Sequence, residues 1–332
     1  MLKKVIQGDN LEVMKRIDDE SVHLIATDPP FNTGKKFTGT GGASFGDSWS
    51  WGDMPQHWVD GLRESTPALL CIIDGVRHMG DDSTAAYLAF MSVRLFEMRR
   101  VLRTDGSIFL HCDPTASHYL KVLMDAIFGR KNFVNEIVWK YDGPQGPAKR
   151  NFRRKHDVIL WYGKTQGYVI SEQGSYYHRI FTPEELRRCK KHGDGRYFYT
   201  LPAGGYSDES IAKMDGEGRI YWTKTGKPNV MCFLDQNSDG DWVREVQRHD
   251  VWDDIPSMLS KYEKTGYPTQ KPVRLFARII ETATKPGDVV LDPFCGSGTT
   301  LIAAEKLGRQ WIGVDIHAEV ESTVKSRLDK MV

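Results

Sequence analysis

The 332 residues are enough for one large core, or for one core that carries a sizeable insertion. Lysine and arginine (45) almost balance aspartate and glutamate (44), so a globally basic or acidic binding protein is excluded and any charged surface must be local. Five cysteines without a C-x-x-C pair (Cys71, Cys112, Cys189, Cys232, Cys295) exclude a disulfide scaffold. No signal peptide or bilayer-length apolar run is visible, which predicts a cytoplasmic protein, and the lone half-site Cys189-Lys190-Lys191-His192 gives no reason to expect a metal.

In chain order, residues 4–7 predict a strand, and Asp9 after Gly8 caps a helix with Leu11, Met14 and Ile17 on its apolar face. Residues 22–27 read as a buried strand, which Asp28-Pro29-Pro30-Phe31 stops at once because proline cannot donate to a ladder. A carboxylate, a carbonyl and an aromatic ring are thereby held at a strand's C-terminal edge, where open α/β sheets bind ligands. Asp28 and the Pro29 carbonyl can each accept one N–H of an exocyclic amine while Phe31 stacks on its ring. The plainer alternative is a turn whose Phe31 plugs the core.

Residues 32 to about 80 show little periodicity and predict a functional lid or a partly disordered stretch. A long amphipathic helix opens at Asp82-Ser83, followed by a strand at 107–112, a helix from Pro114 to Gly129, and strands at 133–140 and 158–162. Between the last two lies the densest basic run, Lys149, Arg150, Arg153, Arg154 and Lys155, a phosphate clamp if the partner is nucleic acid and a solvated face otherwise. From 164 to 262 helix–strand alternation stops, and short strand-like pieces mixed with arginines and aromatics predict an inserted β-rich subdomain. Three segments are therefore expected: 1–163, the insert 164–262, and 263–332.

In the last segment Pro268-Thr269-Gln270-Lys271-Pro272 leads into a helix, and a strand at 288–291 opens into Asp292-Pro293-Phe294-Cys295-Gly296-Ser297-Gly298-Thr299-Thr300. A helix, a strand ending in Asp315 and a final helix follow. Strand, Gly-x-Gly turn, helix, strand and acidic residue form a nucleoside-binding pattern. The glycines admit a ligand to the backbone, the helix start offers N–H groups, and Asp315 can take both ribose hydroxyls. The third glycine of a dinucleotide site and the lysine of a phosphate loop are both missing. S-adenosylmethionine fits better, with its ribose at Asp315 and its carboxylate at Thr299; a Gly-rich turn without a ligand is the alternative.

Together the two motifs resemble the DNA amino-methyltransferases that alkylate adenine N6 or cytosine N4, with the catalytic motif first and the cofactor motif last, as in the family's beta class. The resemblance covers nearly the whole chain outside the insert's interior. It implies a doubly wound, mostly parallel α/β sheet of the S-adenosylmethionine-dependent methyltransferase type, in circularly permuted order. It implies catalytic roles for Asp28, Pro29, Pro30 and Phe31, and cofactor contacts from Asp9, Lys271, Asp292, Phe294, Gly296, Gly298, Thr299, Thr300 and Asp315. Asp at the head of the catalytic motif leans toward adenine; cytosine N4, an RNA adenine or a non-catalytic nucleic-acid-binding subunit are the alternatives. DNA is the implied partner, its target base flipped out of the duplex, with the insert as the recognition element and the nucleoid as the place of action. A second copy of the chain and a restriction endonuclease stay open as partners. The permutation further predicts that the strand near 290 lies beside the strand near 25, and that residues 4–7 lie beyond the Asp315 strand.

Overall fold

Short apolar runs that end in polar residues recur along the first and last parts of the chain, and eight of them pair into one sheet. A computed structural model describes residues 2–38, 44–142, 150, 152–257 and 263–330. The strands are β1 (Lys3–Gln7), β2 (Val22–Thr27), β3 (Leu102–Cys112), β4 (Phe133–Lys140), β5 (His156–Gly163), β6 (Val251–Trp252), β7 (Val289–Asp292) and β8 (Gln310–Asp315). Their order is β1-β8-β7-β2-β3-β5-β4-β6, and only β5 runs against the others. Both predictions of the permuted order hold: β7 pairs with β2 (Leu291 opposite Ile25), and β1 pairs with β8 (Gln7 opposite Asp315).

The main helices outside residues 164–262 are α1 (Asn10–Met14), α2 (Gln56–Ser65), α3 (Pro67–His78), α4 (Asp82–Val101), α5 (Ser117–Met124), α6 (Val273–Ala283), α7 (Thr299–Lys306) and α8 (Val320–Asp329). Side chains alternate across the strands and build a core on each face. Val22, Ile25, Ile108 and Leu110 pack with Ile73, Leu88, Leu95 and Leu120 of α3, α4 and α5. Leu24, Ala26, Phe109 and Ile159 pack with Leu275, Ile279, Leu301 and Val324 of α6, α7 and α8. Helices on both faces make this a doubly wound sheet. From β2 the chain moves to β3, and from β7 to β8 on the other side, so the switch point lies between β2 and β7. There the C-terminal strand ends open a crevice.

The stretch from 32 to 80 departs from expectation. It holds a hairpin (Lys35–Thr38 with Ser44–Asp47) and then α2 and α3. Leu69, Leu70, Ile73 and Val76 carry an ordinary helical spacing and are buried; Pro67 opens α3, where its missing N–H costs nothing. The Gly- and Trp-rich residues before it obscure that pattern.

A second compact unit, Ser175–Arg248, carries its own small core with Phe198, Ile220, Met231 and Val243. It contains a four-stranded antiparallel sheet (Lys190–Lys191, Tyr197–Pro202, Ile220–Trp222, Pro228–Phe233) and a three-stranded one (Tyr176–Ile180, Asp235–Gln236, Trp242–Gln247). The unit is β-rich but narrower than 164–262. Its flanks belong to the larger unit: the Ser171 N–H donates to the Thr282 carbonyl at 2.7 Å, β6 pairs with β4, and Trp139 Nε1 donates to the Ile255 carbonyl at 2.8 Å. Among the described residues no helix is long and apolar enough to cross a membrane.

Candidate active site

β2 and β7 deliver two carboxylates to the crevice. Thr27, the last residue of β2, donates its hydroxyl to Asp292 Oδ1 at 2.8 Å, tying the two strand ends together. A cavity of about 320 Å³ lies over them, within the range of small-molecule sites. Its walls include Asp28, Pro29, Pro30 and Phe31, and also Asp9, Lys271, Asp292, Phe294, Gly296, Thr299, Thr300 and Asp315. Of the residues expected at the catalytic and cofactor positions, only Gly298 is absent from the lining, and its part is conformational. It takes φ +79° at the N-cap of α7, and a Cβ there would come within 2.5 Å of Val324 Cγ2. Gly296 has φ +48°, and a Cβ on it would meet the Tyr267 ring at 3.0 Å.

Asp315 shapes the far end of the cavity. Its Oδ2 accepts the Gly296 N–H at 2.7 Å and its Oδ1 the His317 N–H at 3.0 Å, while its carbonyl accepts the Gly8 N–H at 2.9 Å. The Gly8-Asp9 turn, the glycine loop and the end of β8 thus share one carboxylate residue. Arg327 of α8 donates to the Ser297 carbonyl at 2.8 Å and to the Thr299 hydroxyl at 3.1 Å, fixing the start of α7, whose first-turn N–H groups lack partners within the helix.

Asp28 is gripped at both oxygens. Oδ1 lies 2.5 Å from His111 Nδ1, and Oδ2 accepts from Lys271 Nζ at 2.7 Å. Burial works to raise its pKa, but the Lys271 and His111 charges outweigh burial and bring it down to about 2. Asp292 shows the opposite result. Burial dominates the hydroxyls of Thr300 and Thr27 and the Phe294 N–H, and its pKa rises to about 7. An unfolded aspartate titrates near 3.8, so between those values the folded chain holds a proton that the unfolded chain has lost. The resulting stabilisation is full below about 3.8 and is lost as pH rises through about 7. Asp292→Asn should therefore raise the melting temperature at pH 8 by about 2–4 °C for each kcal/mol recovered, with the gain shrinking toward pH 5; equal gains at both pH values would contradict the assignment.

Several site residues are not legible as motifs. His111, one residue before the end of β3, is 1% exposed, and Asp157 and Tyr141 stand behind it; the one available signal is a histidine near the end of the apolar run 108–112, in the strand beside β2. Asn10 donates to the Pro293 carbonyl at 2.7 Å and accepts from buried Arg94 at 2.7 Å, and Arg94 also pairs with Asp9 at 3.2 Å. Buried Asp47 accepts the Asn32 and Thr33 N–H groups at 2.7 and 2.9 Å, holding the chain just after Phe31. The basic run is not in the cavity wall: Arg150, Arg153 and Arg154 are exposed, Lys155 is half-buried, and Lys149 lies outside the described residues.

A crevice at the switch point of a doubly wound sheet is where such sheets bind ligands, and here it brings the Asp28 motif and the glycine loop into one cavity. The DNA methylase family matches residues 22–326, and the chain belongs to that family. The type II methyltransferase M.EcaI of Enterobacter cloacae is 30% identical over 346 residues, covering 97% of this chain and 68% of that protein. The DNA adenine methyltransferase YhdJ of Escherichia coli is 25% identical over 329 residues, covering 98% of this chain and 83% of that protein. Among solved structures, TTHA0409 of Thermus thermophilus complexed with S-adenosyl-L-methionine aligns with a TM-score of 0.52 at 20% identity, over the whole of this chain and 95% of that one, a likeness of fold alone.

Proposed function

We propose that the chain transfers a methyl group from S-adenosylmethionine to N6 of an adenine in DNA, at a site of defined sequence, in the cytoplasm. The observation that carries this reading is the meeting, in one cavity, of Asp28-Pro29-Pro30-Phe31 with the glycine loop and Asp315. The cofactor position fits these residues on structural grounds. A Cβ would close the cradle at Gly296, the start of α7 is directed to anions, and His317 Nε2 is buried at the cavity without a hydrogen-bond partner among the described residues. Asp315 would hold the ribose, Asp9 would face the adenine, and Thr299 and Thr300 the methionine carboxylate. When bound, the cofactor supplies an electrophilic methyl group on a sulfonium.

The chain's own residues act on the acceptor. An aromatic amine is a poor nucleophile because its lone pair is delocalised into the ring. Hydrogen bonds from its N–H groups to Asp28 and the Pro29 carbonyl favour a pyramidal nitrogen and stabilise the positive charge that develops there. Phe31 stacks on the flipped base, and the rigid strand ends hold the amine in line with the methyl group. Asp28, ionised at any physiological pH, is placed to receive the proton that the methylated nitrogen sheds. Adenine is favoured over cytosine by aspartate at the head of the motif and by the kinship with YhdJ, an adenine methyltransferase by name. The β-rich unit 175–248 and the basic residues 150–155 are assigned to DNA recognition and phosphate contact. DNA from a methylation-free host that expresses the chain should contain N6-methyladenine on nucleoside analysis; unmodified adenine in that DNA would count against the proposal.

A further inference from the structure

We propose that His111 is a positioning residue for methyl transfer: its buried imidazole, braced by Asp157 and Tyr141, fixes the inner oxygen of Asp28 so that the outer oxygen meets the acceptor amine. This rests on the reading of Asp28 as the group that holds that amine. The geometry divides the carboxylate into two unlike halves. Oδ1 points at His111 Nδ1, 2.5 Å away, on a side chain that is 1% exposed and does not line the cavity. Oδ2 meets Lys271, which does line the cavity and reaches Asp28 on a flexible four-carbon stem. An arriving amine has only Lys271 to displace; the histidine stays.

The imidazole is enclosed on every side and, among the described residues, makes one hydrogen bond, between Nδ1 and Asp28 Oδ1. Nε2 lies 3.2 Å from Asp157 Oδ2, and Asp157 Oδ1 accepts the Tyr141 hydroxyl at 3.0 Å. Phe31 stands edge-on to the ring with centroids 5.4 Å apart, and Trp139 lies at 5.9 Å with its own Nε1 fixed to the Ile255 carbonyl. The antiparallel run of β5 makes this possible, because it brings the beginning of β5, with Asp157, to the edge where β3 ends, placing Ile159 opposite His111. The cationic and titratable groups around the pair are Lys271 beside both residues, Asp157 behind the histidine, and Asp292 across from Asp28. Burial and Lys271 work against a charged imidazole, yet the two carboxylates prevail and its pKa is raised.

A merely structural histidine would affect stability, whereas a positioning one also sets the state of Asp28. In His111→Gln, Asp28 keeps its burial but loses one of two cations, so the acid limb of the kcat–pH profile should move up by about one unit or more. The kcat at the pH optimum should fall about 10- to 100-fold, the scale of a misplaced reacting group, with S-adenosylmethionine affinity by calorimetry unchanged. Asp157→Asn should shift kcat in the same direction by a smaller factor, and it decides the matter if His111→Gln does not fold. A wild-type kcat and pH profile in the folded variants, alongside an inactive Asp28→Ala, would overturn the role of His111 and leave the Asp28 reading standing. An active Asp28→Ala would instead remove the premise.

Discussion

Asp28→Ala is expected to lower kcat by about 10³-fold or more, while the dissociation constant for S-adenosylmethionine stays within about threefold of wild type. The asymmetry follows from where the residue sits. Asp28 belongs to the β2 end of the cavity, and the groups that would hold the cofactor's ribose and carboxylate belong to the β8 and β7 ends. Alanine leaves His111 and Lys271 facing each other without their shared carboxylate, so part of the effect will be lost stability. Asp28→Asn separates the two contributions: it keeps the shape and one acceptor, and it should be better folded yet still strongly impaired. Single-turnover kinetics on DNA, with cofactor binding measured by calorimetry, would check both, and near-normal turnover in either variant would remove Asp28 from the centre of the mechanism.

Asp315→Ala should produce the complementary defect. Its carboxylate accepts the Gly296 and His317 N–H groups and is the acceptor assigned to the ribose hydroxyls. Hydrogen bonds to a charged group are each worth roughly 1.5–3 kcal/mol, so the cofactor dissociation constant should rise about 10²-fold. At saturating cofactor kcat should change far less, because Asp28, Pro29 and Phe31 at the β2 end, the groups proposed to hold the amine, are untouched. A variant that loses kcat without losing cofactor affinity would mean that Asp315 acts on the chemistry instead.

The parts of the site carried by continuous stretches were legible in the sequence. Asp28-Pro29-Pro30-Phe31 follows an apolar run, and the glycine loop sits between a strand and a helix, so each announces its place in the sheet by local pattern. The order of the motifs also implied which strands must be neighbours, as β7 beside β2 and β1 beside β8 bear out. What was not legible depends on contacts between distant residues. His111 and Asp157 are ordinary strand residues until antiparallel pairing of β3 with β5 brings them to one edge. Arg94 looks like part of an amphipathic helix, and only the packing of α4 near α1 turns it toward Asp9 and Asn10. The same holds for Val251 and Trp252, which look like another hairpin piece in the sequence but add a strand to the main sheet beside β4.

The decisive experiment is methyl transfer by the purified chain from labelled S-adenosylmethionine to unmethylated duplex DNA, with the labelled nucleoside identified by mass spectrometry. Label in N6-methyladenine, absent when Asp28→Ala is used, is the predicted result. Label in N4-methylcytosine would contradict the choice of base, and cofactor binding without any labelled DNA would contradict the assignment of the acceptor site.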